Sequence, residues 1–211
     1  MHVAVIDIGK PGKNLGWAIS GPTPGDGTDL DRCIDALARS LKHGPLALGF
    51  EAPTWVPIRM DPARLTAARN GECDHGISRP FSAGAGSTVL VIGLVVVPYV
   101  LARLRKQVPK ARATLDWRSL LPGPGHLLVF EAFVTNQKKT AGARHVEDAH
   151  LAIAAFQRGM QDPNSFGRSV AEPSCLNLLG AMLLRTGWTT NLSVLSEPCL
   201  VVRAQNNPPW D

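Results

Sequence analysis

The chain has 211 residues, a length that suits one domain, or one domain with an insertion. Hydrophobic residues make up 45% of the sequence and charged residues 18%, so the composition excludes an intrinsically disordered chain. The net charge of +5 permits a polyanionic partner such as nucleic acid without requiring one.

Cysteine usage favours a reducing compartment. The cysteines show no Cys-x-x-Cys spacing, which argues against a zinc module and fits reduced thiols. The sequence opens directly on an apolar strand, so no signal peptide is predicted and we expect a cytoplasmic protein. The four cysteines are Cys33, Cys73, Cys175 and Cys199.

The first predicted element is a strand at residues 3–9. This segment is a short apolar run rich in β-branched residues, which is typical of a strand buried on both faces. Residues 10–14 have the composition of a turn, and residues 15–20 predict a second strand that pairs antiparallel with the first. Residues 21–29 look too irregular to supply a third strand.

A helix and another strand follow this hairpin. Thr28 or Asp29 is a suitable N-cap for a helix that runs to about Lys42, because apolar residues recur there at helical spacing. Residues 46–51 predict a short buried strand that ends at Glu51.

The middle of the chain contains the least regular segment and the most apolar one. Residues 54–86 mix proline, glycine and charge, and they predict a functional loop or a small insertion in a single domain spanning residues 1–211. Ser87 or Thr88 is predicted to cap an apolar helix that runs to about Gln107. Its apolar run is about one turn short of a bilayer span, so we expect a core helix and no membrane partner.

The last third of the chain predicts two more strands and two more helices. Strands are expected at residues 127–135 and 199–204, and helices at residues 145–159 and 173–187. The whole order predicts an α/β fold with a mixed sheet flanked by helices.

Two carboxylates in the predicted sheet require an explanation. Asp7 lies inside an apolar strand, where an unpaired charge costs several kcal/mol, so it needs a cation, a hydrogen-bond network or a raised pKa. Glu51 ends another strand, and ligands gather at the carboxyl ends of parallel strands. If the two strands are neighbours, the two carboxylates converge.

A third carboxylate comes from the helix predicted at residues 145–159. The residues three, four and seven positions after Asp148 are apolar, so Asp148 lies on the face that packs against the sheet. Glu147 lies on a more mixed face, and His145 is on the same side as Asp148. Because three carboxylates around one point repel each other, we expect Mg²⁺ or Mn²⁺ among them.

The order of these motifs resembles the ribonuclease H-like superfamily. Within it, the pattern is most similar to RuvC-type resolvases and to a related family of predicted nucleases. The similar segments are Val-Ile-Asp-Ile-Gly at 5–9, Gly-Trp-Ala at 16–18, Leu-Gly-Phe-Glu-Ala-Pro at 48–53, Leu-Val-Phe-Glu-Ala at 128–132 and His-Val-Glu-Asp-Ala at 145–149.

The resemblance implies a metal-dependent nuclease that cuts nucleic acid by a two-metal mechanism. It implies that Asp7 bridges two ions, that Glu51 and Asp148 complete their shells and that His145 steers water or product. Glu131, in the fourth of the similar segments, is a further candidate ligand, although it could instead pair with a basic side chain.

Other functions stay open at this point. A second aspartate is expected close to Asp148 and only Glu147 is near it, which favours a binding module of the same fold without catalysis. Residues 7–9 and 16–18 are also similar to the phosphate-binding hairpin of actin-like and sugar-kinase folds, but those enzymes need two copies of the fold. A homodimer is neither required nor excluded.

A basic patch follows the apolar helix. It is either a solvated helix end or a contact surface for phosphate backbones. Its residues are Arg103, Arg105, Lys106, Lys110 and Arg112.

Overall fold

The structure is a computed structural model that describes residues 1–69, 72–74, 77–78, 80–135, 145–162, 166 and 174–205. The helices are α1 Leu30–His43, α2 Gly84–Gln107, α3 His145–Gln161 and α4 Leu178–Arg185. The strands are β1 His2–Asp7, β2 Gly16–Ser20, β3 Gly25–Gly27, β4 Leu46–Glu51, β5 Trp55–Pro57, β6 Cys73–Asp74, β7 Ile77–Ser78, β8 Arg112–Thr114, β9 His126–Thr135, β10 Cys175–Asn177 and β11 Val201–Gln205.

A mixed sheet of seven strands forms the centre of the described residues, in the order β11-β9-β4-β1-β2-β3, with β8 also paired to β9. β1 runs parallel to β4, β4 to β9, and β9 to both β11 and β8. The hairpin strands β1, β2 and β3 pair antiparallel. The predicted α/β class with a mixed sheet is confirmed, and the carboxyl ends of β1 and β4 lie at one edge of the sheet.

The expectation that residues 21–29 hold no third strand was wrong. β3 pairs with β2 through Trp17, Ala18 and Ile19. Its glycines lie against the Trp17 ring, where a Cβ added to Gly27 would lie 3.3 Å from the ring. The tryptophan supplies the packing, so β3 needs no apolar alternation and its sequence shows none.

The sheet has a different set of helices on each face. One face packs against α1, α2 and α4, and the other packs against α3. On the α3 face the rings of Phe130 and Phe156 stack with their centroids 4.8 Å apart. Gly49 leaves space for this stack, because a Cβ there would lie 2.5 Å from the Phe130 ring.

The apolar helix α2 begins earlier than predicted. Its N-cap is Ala83, which makes no side-chain capping bond, so neither Ser87 nor Thr88 is the cap. By length and composition α2 could cross a membrane. One side of the helix instead lies in the core, where the indole Nε1 of Trp188 donates to the Leu101 carbonyl over 3.0 Å. Only 28% of the helix's most apolar window is buried, so the expected core packing holds for one side of α2, and the expectation of no membrane partner stays a prediction.

The later elements match the prediction except at one helix. α3 begins at His145 as predicted, and a closing strand is present as β11. The helix predicted at 173–187 is shorter, because residues 175–177 form β10, which pairs with β5. The Asn177 side chain then caps α4 by accepting from the Gly180 amide over 3.0 Å. Residue 173 lies outside the described residues.

Candidate metal centre

Asp7 and Glu51 lie side by side at the carboxyl ends of two neighbouring central strands. β1 and β4 are parallel neighbours, and their register pairs Asp7 with Glu51. Paired residues on adjacent parallel strands are about 4.8 Å apart and point to the same face. That face is the one covered by α3, because Val3 and Val5 lie four and two residues before Asp7, on the same side of β1, and pack there. Asp7 is 6% exposed.

His145 reaches Asp7 from the first residue of α3. Its Nδ1 lies 2.5 Å from an Oδ atom of Asp7, and a ring nitrogen that carries a proton there donates it to the carboxylate. Gly16 permits this approach, because it is paired with Asp7 in the hairpin and a Cβ on it would lie 2.4 Å from the His145 carbonyl carbon. A residue without a side chain therefore places the start of α3 over the carboxylate.

Asp148 completes the group one turn further along α3. It is 2% exposed and lies beside the buried Ala149 and Ala152, on the side of the helix that packs against the sheet. One candidate ligand atom from each of Asp7, His145 and Asp148 lies within 4.8 Å of the others. Glu147 is exposed, as its position on the mixed face of the helix predicts.

This donor set fits a divalent cation. Ligands of a six-coordinate ion at about 2.1 Å are separated by about 3 to 4 Å, so small side-chain movements would bring these atoms into a common shell. A cation would take the place of the proton between Asp7 and His145, since a metal-ligating imidazole nitrogen must be deprotonated. Two carboxylates and an imidazole form a set that transition-metal ions such as Mn²⁺ accept. Glu51 is not one of the residues whose ligand atoms meet within 4.8 Å, and its place beside the group rests on its register with Asp7.

Glu131 does not join this group, which corrects its assignment as a metal ligand. It pairs in register with Phe50, so it points to the face opposite Asp7 and Glu51. It is 1% exposed, and its carboxylate oxygens accept from the Arg69 guanidinium over 2.7 and 3.1 Å. The Thr54 amide and hydroxyl donate to it over 2.8 and 2.9 Å.

Arg69 joins Glu131 to a second buried carboxylate. Its Nε donates to Glu72 over 2.7 Å, and the guanidinium lies over the Trp55 ring. Burial by itself lowers the pKa of Arg69, but Glu131 and Glu72 outweigh it and hold the pKa above its ordinary value. The guanidinium is therefore charged at any physiological pH and occupies the position that a cation would take beside Glu131.

The basic patch extends to the amino ends of the parallel strands, opposite the carboxyl ends where Asp7 lies. Arg112 pairs with His126, at the amino end of β9, whereas Asp7 and Glu51 end their strands. Arg105 is engaged within the fold, because it donates to the Ala111 carbonyl over 2.6 Å and lies over the Trp188 ring. The patch thus has no part in the candidate metal centre. Arg103, Lys106, Lys110 and Arg112 are exposed, and their contact with nucleic acid stays a prediction.

Comparison with known proteins does not identify a relative. No family model, no curated protein and no solved structure matches this chain. The case for a function therefore depends on the geometry of Asp7, Glu51, His145 and Asp148.

Three residues that shape these two clusters were missed by sequence reasoning. Gly16 was noted only as part of a motif, and its close contact with His145 depends on a helix 129 positions later. Thr54 and Arg69 belong to a segment without periodicity. The one signal that pointed to Arg69 was Glu131 itself, since a glutamate in an apolar strand requires a partner.

Proposed function

We propose that this protein is a divalent-metal-dependent nuclease with a ribonuclease H-like fold, which hydrolyses phosphodiester bonds of nucleic acid. The observation that supports the proposal most is the meeting of Asp7, His145 and Asp148 within 4.8 Å, although 138 residues separate the first two. The pairing of Asp7 with Glu51 adds a third carboxylate beside them. The strand β3 supports the fold proposal, because the resemblance implies a third hairpin strand.

In this proposal the carboxylates of Asp7, Glu51 and Asp148 hold Mg²⁺ or Mn²⁺ at the edge of the sheet. When bound, such ions activate a water and stabilise the leaving oxygen of a phosphodiester. Asp7 is held by the strand and by His145, so it has little freedom to turn away. His145, with 35% of its side chain exposed, is the member of the group that reaches solvent. It is placed to exchange a proton with water or with a departing product.

The imidazole in the set favours Mn²⁺ over Mg²⁺. Mg²⁺ takes oxygen ligands almost exclusively, whereas imidazole is an acceptable ligand for the transition metals. We therefore expect activity in Mn²⁺ to exceed activity in Mg²⁺ at equal concentration.

The direct test is cleavage of labelled single-stranded, duplex and branched DNA and RNA in Mn²⁺ or Mg²⁺. Asp148→Asn should reduce cleavage at least about 100-fold, because loss of even an outer-shell partner of a metal site costs 10- to 100-fold. Glu147→Gln, one residue away and exposed, is the matched control and should cut at the wild-type rate. Cleavage by Asp148→Asn at the wild-type rate would contradict the proposal.

One observation favours a second candidate, a binding module without catalysis. The acid next to Asp148, Glu147, is exposed, so the first turn of α3 directs one carboxylate into the site. Binding of nucleic acid that is indifferent to EDTA and to Asp7→Asn, with no cleavage of any substrate, would support that candidate over a nuclease.

A further inference from the structure

We propose that Thr54 and Glu131 are positioning residues for Glu51: the buried cluster on one face of the sheet fixes the carboxylate that serves the metal site on the other face. The inference rests on the proposed function, because it gives Glu51 a role as a metal ligand. Neither Thr54 nor Glu131 contacts the ion or the substrate in this scheme.

The connection runs through three residues of backbone. Glu51 is the last residue of β4, and the chain passes through Ala52 and Pro53 to Thr54. There both the backbone amide and the hydroxyl of Thr54 donate to the same oxygen of Glu131. Thr54 and Glu131 are each 1% exposed, so water does not compete for these bonds. The segment after Glu51 is thus tied to the next strand of the sheet.

The same short segment is held from three further directions. The Thr54 carbonyl accepts from the Leu178 amide at the start of α4 over 2.8 Å. The Trp55 carbonyl accepts from Arg69 over 3.2 Å. Ala52 packs against α2 at Gly93, where an added Cβ would lie 3.1 Å from the Ala52 Cβ. These contacts restrain the backbone that follows Glu51, which an exposed loop would leave free to move.

Positional control is a better explanation of this cluster than stability alone. A buried ion pair contributes little net stability relative to apolar residues of the same volume, because burial removes the hydration of both charges. Its bonds are directional, however, and a metal centre requires its ligands within about 0.5 Å of their working positions. The Arg69 guanidinium bonds both oxygens of Glu131 and so fixes the carboxylate that receives Thr54.

The test compares two substitutions at Thr54. Thr54→Val keeps the shape and removes the hydroxyl donor, whereas Thr54→Ser keeps the donor. Mn²⁺ binding to the full chain is measured by calorimetry and by the Mn²⁺ electron paramagnetic resonance spectrum, well below the melting temperature of each variant. We expect Thr54→Val to bind Mn²⁺ about tenfold more weakly with an altered spectrum, as loss of an outer-shell partner does. Thr54→Ser should bind within about twofold of wild type.

A second variant is needed because Thr54→Val leaves the bond from the Thr54 amide to Glu131 in place, so its effect on Mn²⁺ binding could be too small to measure. R69M/E131L removes Arg69 together with the glutamate that it bonds through both oxygens. Glu72 remains, and it still accepts from the backbone amides of residues 69 and 81. The double variant should fold and should also bind Mn²⁺ at least about tenfold more weakly. Wild-type Mn²⁺ affinity and spectrum in both Thr54→Val and R69M/E131L would overturn the inference, since a merely structural role changes the melting temperature alone.

The failure of this inference is distinguishable from failure of the proposed function. If the wild-type chain binds no Mn²⁺, or if Asp7→Asn binds it as well as wild type, the metal centre is wrong and the positioning role falls with it. If Asp7→Asn abolishes binding and neither Thr54→Val nor R69M/E131L weakens it, the metal centre stands and the positioning role alone is wrong.

Discussion

Two acidic clusters lie on opposite faces of the same sheet, and their carboxylates have different partners. Glu131 meets an arginine that bonds both of its oxygens, with a threonine and a second glutamate completing the cluster. Asp7 meets a histidine and another aspartate, with Glu51 beside it. A guanidinium is permanently charged and cannot leave, so the first cluster is fixed in place and can act only by holding neighbouring residues. An imidazole and carboxylates can exchange protons for a cation, so the second cluster is suited to chemistry.

The largest expected effect on stability comes from removing Arg69 from its buried cluster with Glu131 and Glu72. Arg69→Met leaves Glu131 and Glu72 buried without their cation, which should lower the free energy of unfolding by about 3–5 kcal/mol. Urea denaturation measures the change. R69M/E131L is the control, and it should be less destabilised than Arg69→Met even though it carries one more substitution. Equal stability of wild type and Arg69→Met would show that the guanidinium does not compensate these carboxylates.

The second effect separates the two clusters by their response to metal. Mn²⁺ at a hundredfold excess over its dissociation constant should stabilise the wild-type chain by about 2.7 kcal/mol, because it binds the folded state alone. For a domain of this size the melting temperature should rise by about 5–10 °C, and EDTA should reverse the shift. Asp7→Asn should abolish the rise, whereas Glu147→Gln should retain it. A rise that persists in Asp7→Asn would place the ion elsewhere.

A smaller effect tests how α3 is brought to Asp7. Gly16→Ala places a Cβ against the backbone of His145, so the helix start must move, at a cost of about 1–3 kcal/mol. The variant should remain folded by circular dichroism but lose the Mn²⁺-dependent rise in melting temperature. Gly44→Ala is a suitable control, because its added Cβ makes only an ordinary contact, 3.5 Å from His2. A full Mn²⁺ response in Gly16→Ala would show that the close approach is not needed.

The smallest expected effect concerns pH. The pKa of Arg69 is raised in the folded chain, so the stability it contributes is present below the pKa of the unfolded arginine and is lost only as pH rises above it. Arginine is protonated at every physiological pH even in an unfolded chain. The difference in unfolding free energy between wild type and Arg69→Met should therefore not decrease between pH 6 and pH 9, because the arginine stays charged while ionisation of the carboxyls that the variant leaves buried destabilises the variant. A difference that shrinks across this range would mean that the cluster titrates there.

The sequence predicted the elements that carry the candidate site better than it predicted their surroundings. The strand with Asp7, the strand ending at Glu51 and the helix starting at His145 all show a clear apolar pattern, and each is present. Glu131 was misassigned for a physical reason. β9 is apolar at nearly every position, so no alternation reveals which of Phe130 and Glu131 faces α3. Only the register with β4 decides it.

The partners of Glu131 were beyond prediction for another reason. Arg69 lies in a segment whose glycines, prolines and charges show neither helical nor strand periodicity, and it comes 62 residues before the glutamate that it bonds. A long-range pair of this kind depends on the path of an irregular segment. The start of α2 was missed because the helix has no polar N-cap to mark it.

The parallel pairing of β1 with β4 has a consequence for how this protein tolerates change. Strand side chains alternate between faces, so deleting one residue just before β4 would move Glu51 into the register position of Phe50 and turn the glutamate towards α1 and α2. Insertions and deletions in the turns at either end of α1 are therefore tolerated by the site only in even numbers. A shift of β4 by one position moves Glu51 to the opposite face of the sheet, whereas a shift by two keeps each side chain on its face.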